Sequence, residues 1–145
     1  MRGATKRPEV AVSEGTSRYV IDTHALKWYL LGEPQLGLGA SAALRLVELG
    51  EAQLLIPAIV LAELVYVFEK KGIPLPIETV ALNVASSSNM LLVELGMVQL
   101  AAFEKLDPSL EMHDRLILAD AIVAEATLIT RDYSMQRAGL VPTIW

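Results

Sequence analysis

The stretch RYVIDTHALKWYLLGEP, residues 18–34, decides the architecture. Residues 18–22 are a short apolar run ending in an acid and read as a strand. Residues 24–31 follow at helical spacing, with Asp22 or Thr23 placed to cap the helix and Gly32-Glu-Pro34 placed to stop it. A short apolar run feeding a longer helical one marks a strand covered on both faces by crossover helices, because such a strand has no solvent face toward which to alternate. The same unit recurs downstream. Strands are expected at 54–56, 90–93, 127–130 and 142–145. Helices are expected at 41–49, 58–71, 77–86, 97–106, 113–125 and, in short form, 133–138. This order is that of an α/β fold, and the sequence carries no internal repeat and no low-complexity segment.

The chain has 145 residues, a formal net charge of -5 and a mean hydropathy of +0.43, which fits one domain with a sizeable core. At 53% hydrophobic residues it is more apolar than most soluble domains, so some apolar surface is expected to meet a partner. The absence of cysteine excludes disulfides, thiolate metal sites and cysteine nucleophiles, and suits a reducing cytoplasm. The densest apolar stretch, 54–68, is broken by Pro57 and Glu63 and falls short of the roughly 20 residues that cross a bilayer, so no membrane association is expected. Residues 1–17 lack the apolar block of a secretory signal and read as a mobile arm before a domain at 18–145. Without that arm, nine Lys/Arg face fifteen Asp/Glu, a charge of -6. Contact with nucleic acid would then need a local basic rim or bound cations.

Ligands of parallel α/β sheets gather at the carboxyl ends of the strands. Asp22 ends the first expected strand, and Asp132 follows the fourth by two residues. Each could equally cap the helix that follows it. Glu63 is the only charged residue between Gln53 and Glu69, on the second turn of an otherwise apolar helix. A buried, unpaired carboxylate there costs several kcal/mol or protonates, and a metal would remove that cost; a solvent-facing position is the alternative. Asp114 opens the helix at 113–125, where an acid also opposes the helix dipole. Asp120 lies about 240° around that helix from Asp114, and Glu125 about 16 Å further along its axis, so both are set aside. His24 and His113 are isolated and lack zinc-helix spacing, and no GxGxxG, GxxxxGK[ST] or GxSxG motif occurs.

Four blocks then carry a family resemblance: VIDTHALKWYLLGEP, IPAIVLAELVYVFEKKG, EMHDRLILADAIVAEATLITRD and the closing VPTIW. Over residues 18–145 the chain resembles PIN-domain proteins of the VapC toxin type. The resemblance implies a three-layer α/β/α fold with a five-stranded parallel sheet, and hydrolysis of RNA phosphodiesters to 5′-phosphate and 3′-hydroxyl ends. It implies Mg²⁺ or Mn²⁺ as cofactor, with Asp22, Glu63, Asp114 and Asp132 as catalytic and metal-binding acids. Thr130 matches the small hydroxyl residue two places before the fourth acid. Lys27, Arg115 and Arg131 are the expected substrate-binding rim, while Lys70 and Lys71 read as solvated charges. The implied partners are an RNA substrate, a cognate antitoxin and a second copy of the chain in a homodimer, with the apolar faces of 41–49 and 58–68 as docking surfaces. A non-catalytic PIN-like scaffold, its acids serving only as caps, is the competing reading. A haloacid-type phosphatase would need Asp-x-Asp where Asp22 is followed by Thr23 and His24, and a receiver domain would need an acceptor acid after Val93 where Glu94-Leu-Gly stands.

Overall fold

The computed structural model describes residues 16–145. The elements run β1 (Ser17–Ile21), α1 (Thr23–Leu31), α2 (Leu38–Glu48), β2 (Ala52–Pro57), α3 (Ala58–Lys70) and α4 (Ile77–Ala85). They continue β3 (Met90–Val93), α5 (Met97–Glu104), α6 (Met112–Ala124), β4 (Thr127–Ile129), α7 (Tyr133–Ala138) and β5 (Thr143–Ile144). The five strands form one parallel sheet in the order β3-β2-β1-β4-β5, in the three-layer α/β/α arrangement expected. Most of the expected arm lies outside the described residues, and Ser17 already belongs to β1. No helix among the described residues is long and apolar enough to cross a membrane.

The sheet is built outward from β1. The chain first moves one way, to β2 and β3, then returns to lay β4 and β5 on the other side. Strand order therefore reverses between β1 and β4, which leaves a crevice at their carboxyl ends. Val20, Ile21, Leu54, Ile56, Leu128 and Ile129 are buried, as continuous apolar strands covered on both faces should be. Gly32, in the left-handed region at φ 65°, ends α1 as its position after the apolar run predicts.

Packing refines two expectations. The apolar faces of 41–49 and 58–68, expected as docking surfaces, give much of their area to the core: Ala43, Leu44 and Val47 of α2, and Val60, Leu64 and Phe68 of α3, are buried, while Leu49 and Tyr66 stay exposed. Second, α2 starts at Leu38, three residues before the expected Ser41, despite glycines at 37 and 39 that lower helix propensity. Those glycines make room for Trp145. The Gly39 N–H donates to the Trp145 carbonyl at 3.0 Å, and a Cβ at Gly39 would lie 2.5 Å from that oxygen and 2.9 Å from Ile144 Cγ1.

Asp120 is a different kind of exception. It sits in the run Leu116–Ala121 of α6, every residue of which is buried, and is itself only 5% exposed. Its Oδ1 has no hydrogen-bond partner among the described residues, and burial pushes its carboxyl up to about 7.

Two outcomes are expected. Gly39→Ala lowers the Tm, because overlap with a backbone carbonyl costs about 1–3 kcal/mol, more than the roughly 1 kcal/mol that alanine adds to a helix. An unchanged or raised Tm would show that the Trp145 contact yields. Asp120, with its folded pKa raised, contributes most favourably at acid pH and loses stability as pH rises from about 4 through about 7. Asp120→Asn should therefore raise the Tm at pH 8 and change it little at pH 4; equal effects at both values would refute the assignment.

Candidate active site

A cleft of about 610 Å³ opens at the carboxyl ends of β1 and β4, and Asp22, Glu63, Asp114 and Asp132 all line it. Asp22 is the first residue after β1. Its N–H donates to the Ile129 carbonyl at 3.2 Å and so extends the sheet ladder by one bond. Its Oδ1 accepts from the Ala25 N–H at 3.0 Å, capping α1, and its Oδ2 accepts from the Thr130 hydroxyl. Burial, which leaves the residue 6% exposed, raises the carboxyl's pKa against the lowering effect of those two hydrogen bonds.

Thr130 ties the two aspartates together. Fully buried, it donates to Asp22 Oδ2 and accepts from the Asp132 N–H at 2.9 Å. The two-residue spacing between Thr130 and Asp132 thus has a mechanical basis. Asp132 in turn caps α7, its Oδ1 accepting from the N–H groups of Ser134 at 2.8 Å and Met135 at 3.1 Å. Burial works to raise the Asp132 carboxyl, but hydrogen bonds from Ser134 and Met135 outweigh it and hold the group below its ordinary value. Both aspartates are therefore caps as well as cleft acids, and each spends Oδ1 on its helix.

Glu63 lies neither on the open solvent face nor alone. Its Oε1 accepts from the Thr23 hydroxyl, and its Oε2 is 3.5 Å from His113 Nδ1, which also meets Glu111 Oε2 at 2.8 Å. Asp114 sits in the first turn of α6, its N–H donating to the N-cap Glu111 at 3.0 Å. Burial, followed by the charges of Asp132, Glu111, Glu63 and Asp22, pushes its carboxyl up to about 6. Repulsion among the acids is thus felt at Asp114, the member with fewest hydrogen-bond donors aimed at it.

The donor set is all oxygen, which suits a hard divalent cation such as Mg²⁺ or Mn²⁺. Among the described residues no three Asp, Glu or His side chains are grouped closely enough, as they stand, to hold one ion. Closing around a cation would require carboxylates to turn from their present donors, and Asp114 is freest to do so.

The rim differs in part from expectation. Arg131 lies over the Trp28 ring at 4.6 Å from its centroid, with Lys27 Nζ at 5.9 Å, and both cations border the cleft. Arg115 does not. Its Nε donates to the Phe103 carbonyl at 3.1 Å and its guanidinium stacks 4.1 Å from the Phe103 ring, so it fastens α6 to α5. Trp28 and Tyr66 also line the cleft and were not singled out in the sequence. Their signal was spacing: Tyr66 stands one turn after Glu63, and Trp28 one turn after His24.

Comparison with known proteins bears on this geometry. The PIN domain family matches residues 19–140. A search of curated proteins found no match. Among solved structures, VapBC2 from Rickettsia felis, bound to a promoter DNA fragment, is similar at 20% identity and a TM-score of 0.62, over 87% of this chain and 96% of that one. A toxin–antitoxin complex from Klebsiella pneumoniae is similar at 21% identity and 0.56, over 79% and 86%. FitAB bound to the IR36 DNA fragment is similar at 19% identity and 0.61, over 86% and 92%. At these identities the likeness is one of fold.

Asp22→Asn tests the cluster. Asparagine keeps the α1 cap while removing a buried charge, so the variant should melt a few degrees higher than the wild type in EDTA at neutral pH. The wild type should gain Tm saturably with Mn²⁺ or Mg²⁺, and the variant should not. Identical metal responses would remove Asp22 from any cation site.

Proposed function

The chain belongs to the PIN-domain family, whose members are generally nucleases, and from that premise we propose that it is a metal-dependent endoribonuclease, the toxin of a toxin–antitoxin pair. The observation that carries this reading is the pairing of Asp22 and Asp132 through Thr130, in a cleft also bordered by Glu63 and Asp114. A scaffold needs caps, but it has no use for an acid that burial first, and then the charges of Asp132, Glu111, Glu63 and Asp22, push up to about 6.

In this mechanism Asp22 and Asp114 would hold the principal ion, and Glu63 and Asp132 would complete the cluster directly or through water. Mg²⁺ or Mn²⁺ held there would supply a water of lowered pKa and stabilisation of charge on the phosphate. Thr130 keeps the Asp22 carboxylate turned into the cleft while holding the Asp132 backbone in place. Lys27 and Arg131, fixed against Trp28, neutralise the RNA backbone as it enters, which a net charge of -5 would otherwise oppose. The products carry 5′-phosphate and 3′-hydroxyl ends.

The antitoxin partner is supported by the complexes that the fold resembles. An apolar hollow of about 300 Å³, lined by Leu26, Leu30, Leu54, Val80, Val84 and Met90, offers such a partner a seat. Leu82, Met97 and Val98, all strongly exposed, extend the apolar surface available to a homodimer. The cysteine-free composition suits the cytoplasm.

Purified protein incubated with total cellular RNA should cut it in Mn²⁺ or Mg²⁺ and not in EDTA, and Asp114→Asn should lose roughly 100-fold or more of that activity. Cleavage that survives EDTA or the substitution would overturn the proposal. A folded protein that binds its partner but cuts no RNA would favour the scaffold.

A further inference from the structure

Tyr66 is a large side chain of the cleft whose position packing does not explain. It lies in the middle of α3, yet 58% of it is exposed. The core takes Val60, Leu64 and Phe68 from this helix and leaves Tyr66 out. The ring borders the cleft on the same helix as Glu63, and Lys70, one turn on, carries its Nζ over the ring at 4.9 Å from the centroid. One ring face is thus covered by a cation, drawn there by the ring's negative face. The other exposed tyrosine, Tyr133, has Arg137 over its ring but borders a separate cavity.

The charge balance makes such a ring useful. A chain of net charge -5 gains little from long-range attraction to RNA, so retention near the acids must come from short-range contacts. Stacking of a base on an aromatic ring is one that does not depend on net charge. We propose that Tyr66 is a specificity-determining residue of the cleft: its ring stacks on the base of a nucleotide beside the cleaved phosphate, with Lys70 covering the opposite ring face. The inference rests on the ribonuclease reading above. A base inside an A-form helix is stacked on both sides by its neighbours, so Tyr66 accepts only an unpaired nucleotide and discriminates against paired positions.

The test uses Tyr66→Ala, Tyr66→Phe and Tyr66→Trp in the full chain. Tyr66 is exposed, so all three should fold and keep the wild-type Tm response to Mn²⁺. Probes are a random-sequence single-stranded RNA of about 12 nucleotides and an abasic oligoribonucleotide of the same length, which carries the phosphates without the bases. Tyr66→Ala should raise KM for the RNA by roughly 10-fold or more with a smaller change in kcat, and Tyr66→Phe should restore it. Tyr66→Trp fluorescence should be quenched by the RNA beyond any change seen in the wild type, and not by the abasic chain. A wild-type KM in Tyr66→Ala, or equal quenching by the abasic chain, would overturn the proposal. Quenching without wild-type cleavage would overturn the nuclease reading and leave the stacking contact standing; cleavage without quenching would do the reverse.

Discussion

The parallel pairing of β1 with β4 is the constraint on which the rest depends. It joins residues more than a hundred positions apart, and it places the Asp22 N–H on the Ile129 carbonyl and the Thr130 hydroxyl on the Asp22 carboxylate. Side chains alternate along a strand, so a register slip of one residue would turn Thr130 to the opposite face and separate the two aspartates it connects. The apolar residues of the strand, Leu128 and Ile129, are fully buried and hold that register. Hydrophobic burial thus fixes a polar geometry that the polar groups could not fix alone.

Both oxygens of Asp22 are already engaged, Oδ1 by the α1 N-terminus and Oδ2 by the Thr130 hydroxyl. Asp22 and Asp132 each give Oδ1 to a helix N-terminus. The helix dipole and the cap hydrogen bonds favour the charged form, and they hold the Asp132 carboxyl low. Asp22, more deeply buried, stays raised in spite of them. Asp114, which caps no helix, receives burial and repulsion and is raised to about 6. The cleft therefore stores unfavourable electrostatics at α6, where a cation would relieve it.

Most of the sheet was legible because its central strands are apolar on both faces and are separated by stretches of helical spacing, two of which, α1 and α7, are capped by an aspartate at a strand's end. Asp22 and Asp132 were legible from their places at strand ends, and Glu63 from its isolation in an apolar helix. Asp114 was visible chiefly through family resemblance, since an acid in a first helical turn is unremarkable. What escaped the sequence was set by distant contacts. The helix expected from Ser41 starts at Leu38, because the approach of Trp145 to Gly37 and Gly39 cannot be seen from their neighbours. Arg115 read as a rim cation because its commitment to the Phe103 carbonyl and ring depends on how α5 meets α6. Asp120, set aside as structural or rim, lies inside a run that burial alone could identify.

Trp145 has a consequence for how the cleft comes into being. Its carbonyl accepts from Gly39, and its ring meets the edge of Trp28 at 5.8 Å between centroids, behind the indole on which Arg131 rests. Asp22, Thr23 and Trp28 emerge from the ribosome about a hundred residues or more before Thr130, Arg131, Asp132 and Trp145. Until then Asp22 lacks the hydroxyl that orients it and Trp28 lacks its supporting ring. The order of synthesis therefore leaves one wall of the cleft missing until β4 and the residues after it have been made, and the loop that must close to supply it, 108 residues from Asp22 to Thr130, makes assembly of the cleft a late event in the folding of this domain.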